Sequence, residues 1–293
     1  MNADSFFTIG STHKVCQDYA VSMCFDVPPP DGGSYTILSD GCSTAPDTDF
    51  GSRLLVRSAQ SAIYKHDNLR NFLYDTLKAA EIYSRTLSLP SDSLSATLLA
   101  SYYVFGTHTS GEINPFRNDK IVVVCVGDGA IVAKDYDGGL SIFEYEFKRG
   151  APYYLRYELD GNNKDRYFKE FGNELEMHLT TVNPAGEITQ ASKIKPTFDK
   201  ETHFWFHEFS LDRYETVAIM SDGIQSFVKQ EKTGTSKQNL PVESIDIIKE
   251  LMDFKNYSGE FVQRRCQRAF RKFRENNIQN CDDFSMGVIT TRS

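Results

Sequence analysis

Three stretches of this sequence share one design, an apolar run that closes on Asp-Gly. They are Thr36-Ile37-Leu38-Ser39-Asp40-Gly41, Val123-Val124-Cys125-Val126-Gly127-Asp128-Gly129 and Val217-Ala218-Ile219-Met220-Ser221-Asp222-Gly223. Short apolar runs rich in β-branched residues read as buried strands, so each aspartate stands where a strand leaves its sheet. The glycine behind it permits a tight turn and a close approach of backbone to a ligand. Gln17-Asp18 opens a further strand-like run, and Asp282-Asp283 opens the last one. Gathered carboxylates repel one another unless a cation neutralises them. Ligands that are all oxygen suit Mg²⁺ or Mn²⁺ rather than zinc or copper. The chemistry such a site would perform is hydrolysis of phosphate esters. A lone Asp-Gly after a strand is more often a hairpin turn. It is the joint, ordered occurrence of these aspartates that points to a shared site.

Other reactive residues carry less. Cys16, Cys24, Cys42, Cys125, Cys266 and Cys281 form no CxxC pair and have no zinc spacing with histidine. They read as strand-embedded, buried thiols of a reducing compartment. His203, Trp205 and His207 alternate as on one strand, which fits a packed strand face better than a second metal site. His66 and His108 carry no signal.

The formal net charge of -8 opposes binding to nucleic acid phosphates or to anionic lipid, so neither is an expected partner. The start MNADSFFTIG lacks a basic region followed by a long apolar stretch, and apolar runs such as 121–126 are too short to span a bilayer. A soluble, cytoplasmic protein is expected.

Strands are expected at 6–9, 19–25 and 35–38, with a turn at 28–33. Helical spacing follows at 49–65 and 69–87, stopped by Pro90. Strands return at 96–105, 121–126, 130–136 and 140–145, joined by turns that contain Gly111, Asn114, Pro115, Gly129, Gly138 and Gly139. The polar region 150–200 reads as an irregular excursion with turns at 161–163 and 183–186 and some strand at 176–182. Strands at 203–209 and 216–220, helices at 242–254 and 258–275 and a strand at 285–291 complete the chain. Runs of strands and helix pairs segregated in this way argue for an α+β fold, with helices on the outer faces of packed sheets. The expectation is one domain over residues 1–293.

The ordered set of motifs resembles the type 2C, metal-dependent protein phosphatases, particularly their divergent bacterial branch. The stretches that carry the resemblance are Gly10-Ser11-Thr12-His13 with Gln17-Asp18, Ser39-Asp40-Gly41, Ser95-Ala96-Thr97-Leu98-Leu99-Ala100, Val126-Gly127-Asp128-Gly129, Met220-Ser221-Asp222-Gly223 and Asp282-Asp283-Phe284-Ser285. The resemblance implies a four-layer α-β-β-α sandwich, two antiparallel sheets flanked by helix pairs, with a two-metal centre of Mg²⁺ or Mn²⁺ at one end. It implies that Asp40 bridges both ions, that the Gly41 carbonyl binds one, and that Asp222 and Asp282 bind the other. Asp18 would act through metal-bound water, and Asp128 matches the position of a weaker third ion. The implied reaction is hydrolysis of phosphoserine and phosphothreonine on proteins by activated water, with a serine/threonine kinase as a possible counterpart.

Three positions depart from the family pattern. His13 stands where many relatives have a phosphate-gripping arginine. It is either a phosphate ligand or a hydrogen-bonded structural histidine. Cys42 replaces a histidine proposed as general acid, and a thiol is a poor substitute. Ser226 stands where some relatives have an aspartate, so the third-ion set is incomplete. Two other functions stay open: a degenerate phosphatase that binds phosphoproteins or scaffolds a kinase, and a phosphohydrolase of small molecules.

Overall fold

Apolar patterning places most elements where the sequence predicts them, and strand pairing then decides which residues meet. The computed structural model describes residues 1–24, 33–65, 68–105, 119–147, 149–201, 203–233 and 236–292. The 28–32 part of the predicted turn, Gly111, Asn114, Pro115, His66 and His108 lie outside the described residues. The elements in chain order are β1 (Asn2–Thr8), β2 (Tyr19–Cys24), β3 (Ser34–Ser39), α1 (Thr48–Ala62), α2 (Leu69–Thr86), β4 (Leu98–Val104), β5 (Lys120–Val126), β6 (Gly129–Asp135) and β7 (Leu140–Phe147). Next come α3 (Gly161–Phe171), β8 (Leu175–Val182), β9 (Ile188–Ile194), β10 (Trp205–Ser210), β11 (Tyr214–Met220), β12 (Phe227–Thr233) and β13 (Ser236–Pro241). The chain closes with α4 (Ser244–Leu251), α5 (Phe261–Glu275), β14 (Ile278–Asn280) and β15 (Phe284–Thr290).

Two antiparallel sheets face each other. One has the order β1-β15-β11-β6-β7-β8-β9 and the other β10-β5-β4-β3-β2. Helix α1 packs on β2, β3 and β4, while α5 packs on β1 and β15, so each sheet has a helical outer cover. Side chains on β11 divide by the two-residue pleat. Val217 and Ile219 enter the core between the sheets, whereas Ala218 and Met220 enter the core under α4 and α5. Ile131 and Ala133 of β6 divide from Ala130 and Val132 in the same way. Burial on both faces explains why these strands read as continuous apolar runs rather than as alternation. Each large aliphatic side chain so buried stabilises the fold by roughly 1.5–3 kcal/mol. The α-β-β-α architecture is therefore the one expected.

The region 150–200 corrects the expectation of irregular chain. A 3-10 turn at Leu155–Leu159, helix α3 and the hairpin β8–β9 occupy it. Asp160 caps α3 by accepting from the Asn162 N–H at 2.9 Å, so residues read as a turn instead start a helix. The segment is held by an aromatic group in which Tyr153, Tyr167, Phe168, Phe198 and Trp205 meet ring to ring. The hairpin β12–β13, which pairs with β14, was also not anticipated.

The cysteines correct a second expectation. All six are free, but only Cys125 and Cys266 are buried, and Cys266 lies on α5. No helix among the described residues is long and apolar enough to cross a membrane.

Candidate active site

Strand register alone brings the aspartates to one end of the sandwich. Tyr19 of β2 pairs with Ser39 of β3, so Asp18 and Asp40 flank the same strand end. Met220 of β11 pairs with Met286 of β15 and with Ala130 of β6. Asp222, Asp282 and Asp128 therefore leave the other sheet together. Asp128 sits in the link from β5 to β6, between Gly127 and Gly129, whose φ angles of 98° and 136° favour glycine. Gly223 is required by close packing, because a Cβ there would lie 1.8 Å from the Asp283 carbonyl oxygen.

The carboxylates crowd. Asp40 contacts both Asp18 and Asp222 through its side chain, and burial together with their charges holds its carboxyl well above the usual range. Asp18 is fully buried, and burial pushes it up to about 7 against the opposing effect of its polar neighbours Asp40, Ser285 and Ser221. Burial, then the charge of Asp222, raises Asp128 well above the ordinary value, and both also raise Asp282. Among the described residues no lysine or arginine forms an ion pair with Asp18, Asp40, Asp128 or Asp222.

Several positioning residues lie beyond what the sequence reading assigned. Ser221 donates to Asp18 Oδ2 at 2.7 Å and accepts the Ser285 N–H at 2.9 Å, so it ties β11, β15 and Asp18 together. Thr97 accepts the Asp40 N–H at 3.0 Å and donates its own N–H to the Asp40 carbonyl at 2.8 Å. The Asp282-Asp283 pair divides. Asp283 is buried and accepts the Gly10 N–H at 2.7 Å and the Gln17 N–H at 2.6 Å, which pins the loop that carries His13. Asp282 has a side chain 47% exposed and faces the cluster. Ser226 donates to the Gly223 carbonyl and accepts the Asp282 N–H at 3.1 Å.

His13 is held against the pair, with Nε2 3.4 Å from Asp282 Oδ1 and Nδ1 3.2 Å from Asp283 Oδ1. Cys42 lies at the other rim, its Sγ 3.1 Å from Thr44 Oγ1 and hydrogen-bonded to Tyr154. Burial pushes the thiol up, but these hydrogen bonds outweigh it and leave Cys42 below its ordinary value. Tyr154 comes from the 150–200 region and had no sequence signal, since nothing local marks it as a neighbour of Cys42. His203 and His207 play no part here. His203 precedes β10 near Glu158, and His207 contacts Tyr145.

Among the described residues no three His, Cys, Asp or Glu side chains stand in the geometry of a formed metal site. The donor chemistry nevertheless fits a hard divalent cation. Asp18 Oδ1 and Asp128 Oδ1 are buried without a hydrogen-bond partner, and Asp18, Asp40, Asp128 and Asp222 press on one another with no lysine or arginine paired to them among the described residues.

A pH effect follows. A carboxyl whose pKa is raised in the folded state adds stability below its unfolded value of about 3.9, and that stability is lost as pH rises through the folded value. EDTA-treated protein should melt at falling temperatures as pH rises from the ordinary aspartate range to about 7, the value for Asp18. Asp18→Asn should flatten the slope, and Mn²⁺ at neutral pH should restore the melting temperature. A melting temperature indifferent to both would contradict the carboxylate cluster.

Comparison with known proteins gives the family context. Residues 11–149 match the family described as protein phosphatase 2C. No curated protein matches the chain. A bacterial serine phosphatase of solved structure is similar in fold, with 12% identity and a TM-score of 0.55 over 100% of this chain and 98% of that one. The serine/threonine phosphatase of Staphylococcus aureus is similar at 12% identity, with a TM-score of 0.50 over 100% of this chain and 96% of that one.

Proposed function

We propose, on the premise that this chain belongs to the protein phosphatase 2C family through residues 11–149, that it is a metal-dependent phosphatase of phosphoserine and phosphothreonine on proteins. The observation that carries this reading is the group of crowded, mutually repelling carboxylates at one sandwich end, Asp18 buried and Asp40, Asp128 and Asp222 half-buried, with orphaned oxygens on Asp18 and Asp128. Asp40, the Gly41 carbonyl, Asp222 and Asp282 would hold two Mg²⁺ or Mn²⁺ ions. Asp128 is left for a third, weaker ion whose set Ser226 leaves incomplete. When bound, such ions supply Lewis acidity to the phosphoryl group and to the attacking water.

The chain's own residues then have distinct tasks. Asp18, fixed by Ser221, keeps Oδ1 unpaired and can take a proton at the cluster. His13, oriented by Asp282 and Asp283, offers its ring to the phosphate. Cys42 stands where a general acid would, but a thiol protonates a leaving alkoxide poorly, so that proton comes from water. The six unpaired cysteines support work in the reducing cytoplasm on substrates phosphorylated by a serine/threonine kinase. Residues 1–293 act as one catalytic unit in this reading.

The test is turnover of p-nitrophenyl phosphate and of phosphoserine and phosphothreonine peptides with Mn²⁺, stopped by EDTA, beside a panel of phosphorylated metabolites. Mn²⁺-dependent peptide turnover is expected. Absence of turnover together with absence of Mn²⁺ binding by calorimetry would overturn the reading. Turnover of metabolites alone would move the assignment to small molecules.

A further inference from the structure

We infer that the arginine face of α5 is a docking surface for an acidic segment of a partner protein, separate from the aspartate cluster. Helix α5 holds six of the 32 basic residues and one of the 40 acidic ones in a chain of net charge -8. Its buried face, Phe261, Val262, Cys266, Ala269, Phe270 and Phe273, is spent on the core, so the charge is turned outward. That charge is unevenly compensated. Glu250 accepts from Arg265 at 2.7 Å and also pairs with Lys272. Among the described residues no carboxylate pairs with Arg264, Arg268, Arg271 or Arg274.

Arg264, Arg268 and Arg271 follow the i, i+4, i+7 spacing that sets side chains on one helical stripe. At the N-terminal end of the stripe the surface is concave. A groove of about 200 Å³ is lined by Arg264, Arg265 and Arg268 together with Lys255 and Ser258. The one carboxylate there, Asp253, is already neutralised by Lys255 at 2.7 Å. Arg264, which donates to the Ser258 carbonyl, and Arg268 line this groove without a carboxylate partner among the described residues, and they are complementary to an acidic segment.

The occupant follows from the charge of the whole molecule. The remainder of the chain is strongly acidic, so an extended polyanion such as a duplex or a vesicle surface would meet repulsion around the helix. A short acidic peptide segment can touch α5 alone. The groove is also remote from the aspartates. Asp4 on β1 accepts the Val262 N–H at 2.6 Å, and β1 runs from there toward Gly10 at the site. Those six residues span roughly 20 Å at ~3.3 Å per residue. A protein substrate or regulator could therefore occupy both places.

The test is fluorescence anisotropy of a short fluorescein-labelled glutamate-rich peptide on the full chain, beside the same peptide with glutamine at every glutamate. The glutamate peptide should bind, the glutamine peptide should not, and binding should weaken as added salt shortens the Debye length. Arg264→Glu/Arg268→Glu should weaken binding at least about tenfold, or roughly 1.4 kcal/mol. Arg268→Glu/Arg271→Glu changes only exposed residues and should weaken it comparably, with an unchanged melting temperature and unchanged turnover of p-nitrophenyl phosphate. Equal binding of both peptides, or equal binding by the folded variants and the parent, would overturn the inference. So would tighter binding of duplex DNA or phosphatidylserine vesicles that the same variants abolish. Binding is read without turnover, so its failure is distinct from failure of the phosphatase assignment.

Discussion

Asp40→Asn is expected to lower Mn²⁺-dependent phosphatase turnover by roughly a thousandfold or more while the protein stays folded. The size follows from removing several kcal/mol of charge stabilisation at the reacting phosphate, at about 1.36 kcal/mol per tenfold. The fold should survive for an electrostatic reason. Asp40 is a half-buried carboxyl pressed between Asp18 and Asp222, and desolvation and their charges disfavour its ionised form. Asparagine keeps the shape and removes the repelling charge, so metal-free Asp40→Asn should melt at or above the parent temperature at neutral pH. Calorimetry should find weakened Mn²⁺ binding. Parental turnover in this variant would sink the role given to Asp40. A large drop in melting temperature would sink the account of the cluster as electrostatically strained.

The second large effect separates two adjacent residues. Asp283→Ala should destabilise the fold by about 3–6 kcal/mol, because it strips a buried carboxyl acceptor from two backbone donors and hydrogen bonds to such groups contribute about 1.5–3 kcal/mol each. The donors are the N–H groups of Gly10 and Gln17, and the loop between them carries His13. That loss is a large share of a typical stability of about 5–15 kcal/mol. Asp282→Asn should behave in the opposite way. Its side chain is 47% exposed, and asparagine can still accept the Asp283 N–H, so little stability is lost while metal-dependent turnover falls sharply. Urea unfolding of both variants beside phosphatase kinetics checks the contrast. Similar stability losses in the two would show that the pair does not divide its labour as described.

The two outer parts of the chain were legible because their strands and helices are long, apolar and periodic. β3, β5 and β11 are buried along nearly their whole length, so each announces itself as a largely apolar run that closes on its aspartate. Helix α1 shows Leu55, Val56, Ala59 and Ala62 on one face. The parts that escaped are held by distant partners. Helix α3 buries only Tyr167, whose ring partners Tyr153 and Phe198 come from either side of it in sequence. Hairpin β12–β13 reads Phe-Val-Lys-Gln-Glu-Lys-Thr into Ser-Lys-Gln-Asn-Leu-Pro, which lacks the alternation that marks a half-buried strand. Its pairing with β14 supplies what local pattern does not.

The aspartates at strand ends, and the oxygen chemistry they offer, were determined by the sequence alone, because residue type and local periodicity are properties of short windows. Which of them touch was decided only by the tertiary structure. The register of β2 on β3 and of β11 on β15 sets Asp18, Asp40, Asp222 and Asp282 at one end of two facing sheets. Residue type does not separate Asp282 from Asp283, and only the resemblance of Asp282-Asp283-Phe284-Ser285 to the family motif favours the first as a ligand. They differ because the loop from Gly10 to Gln17 folds back onto one and leaves the other half-exposed at the cluster. Tyr154 reaches Cys42 for the same reason: a contact across more than a hundred residues of chain is set by packing, and packing is settled by the whole core at once.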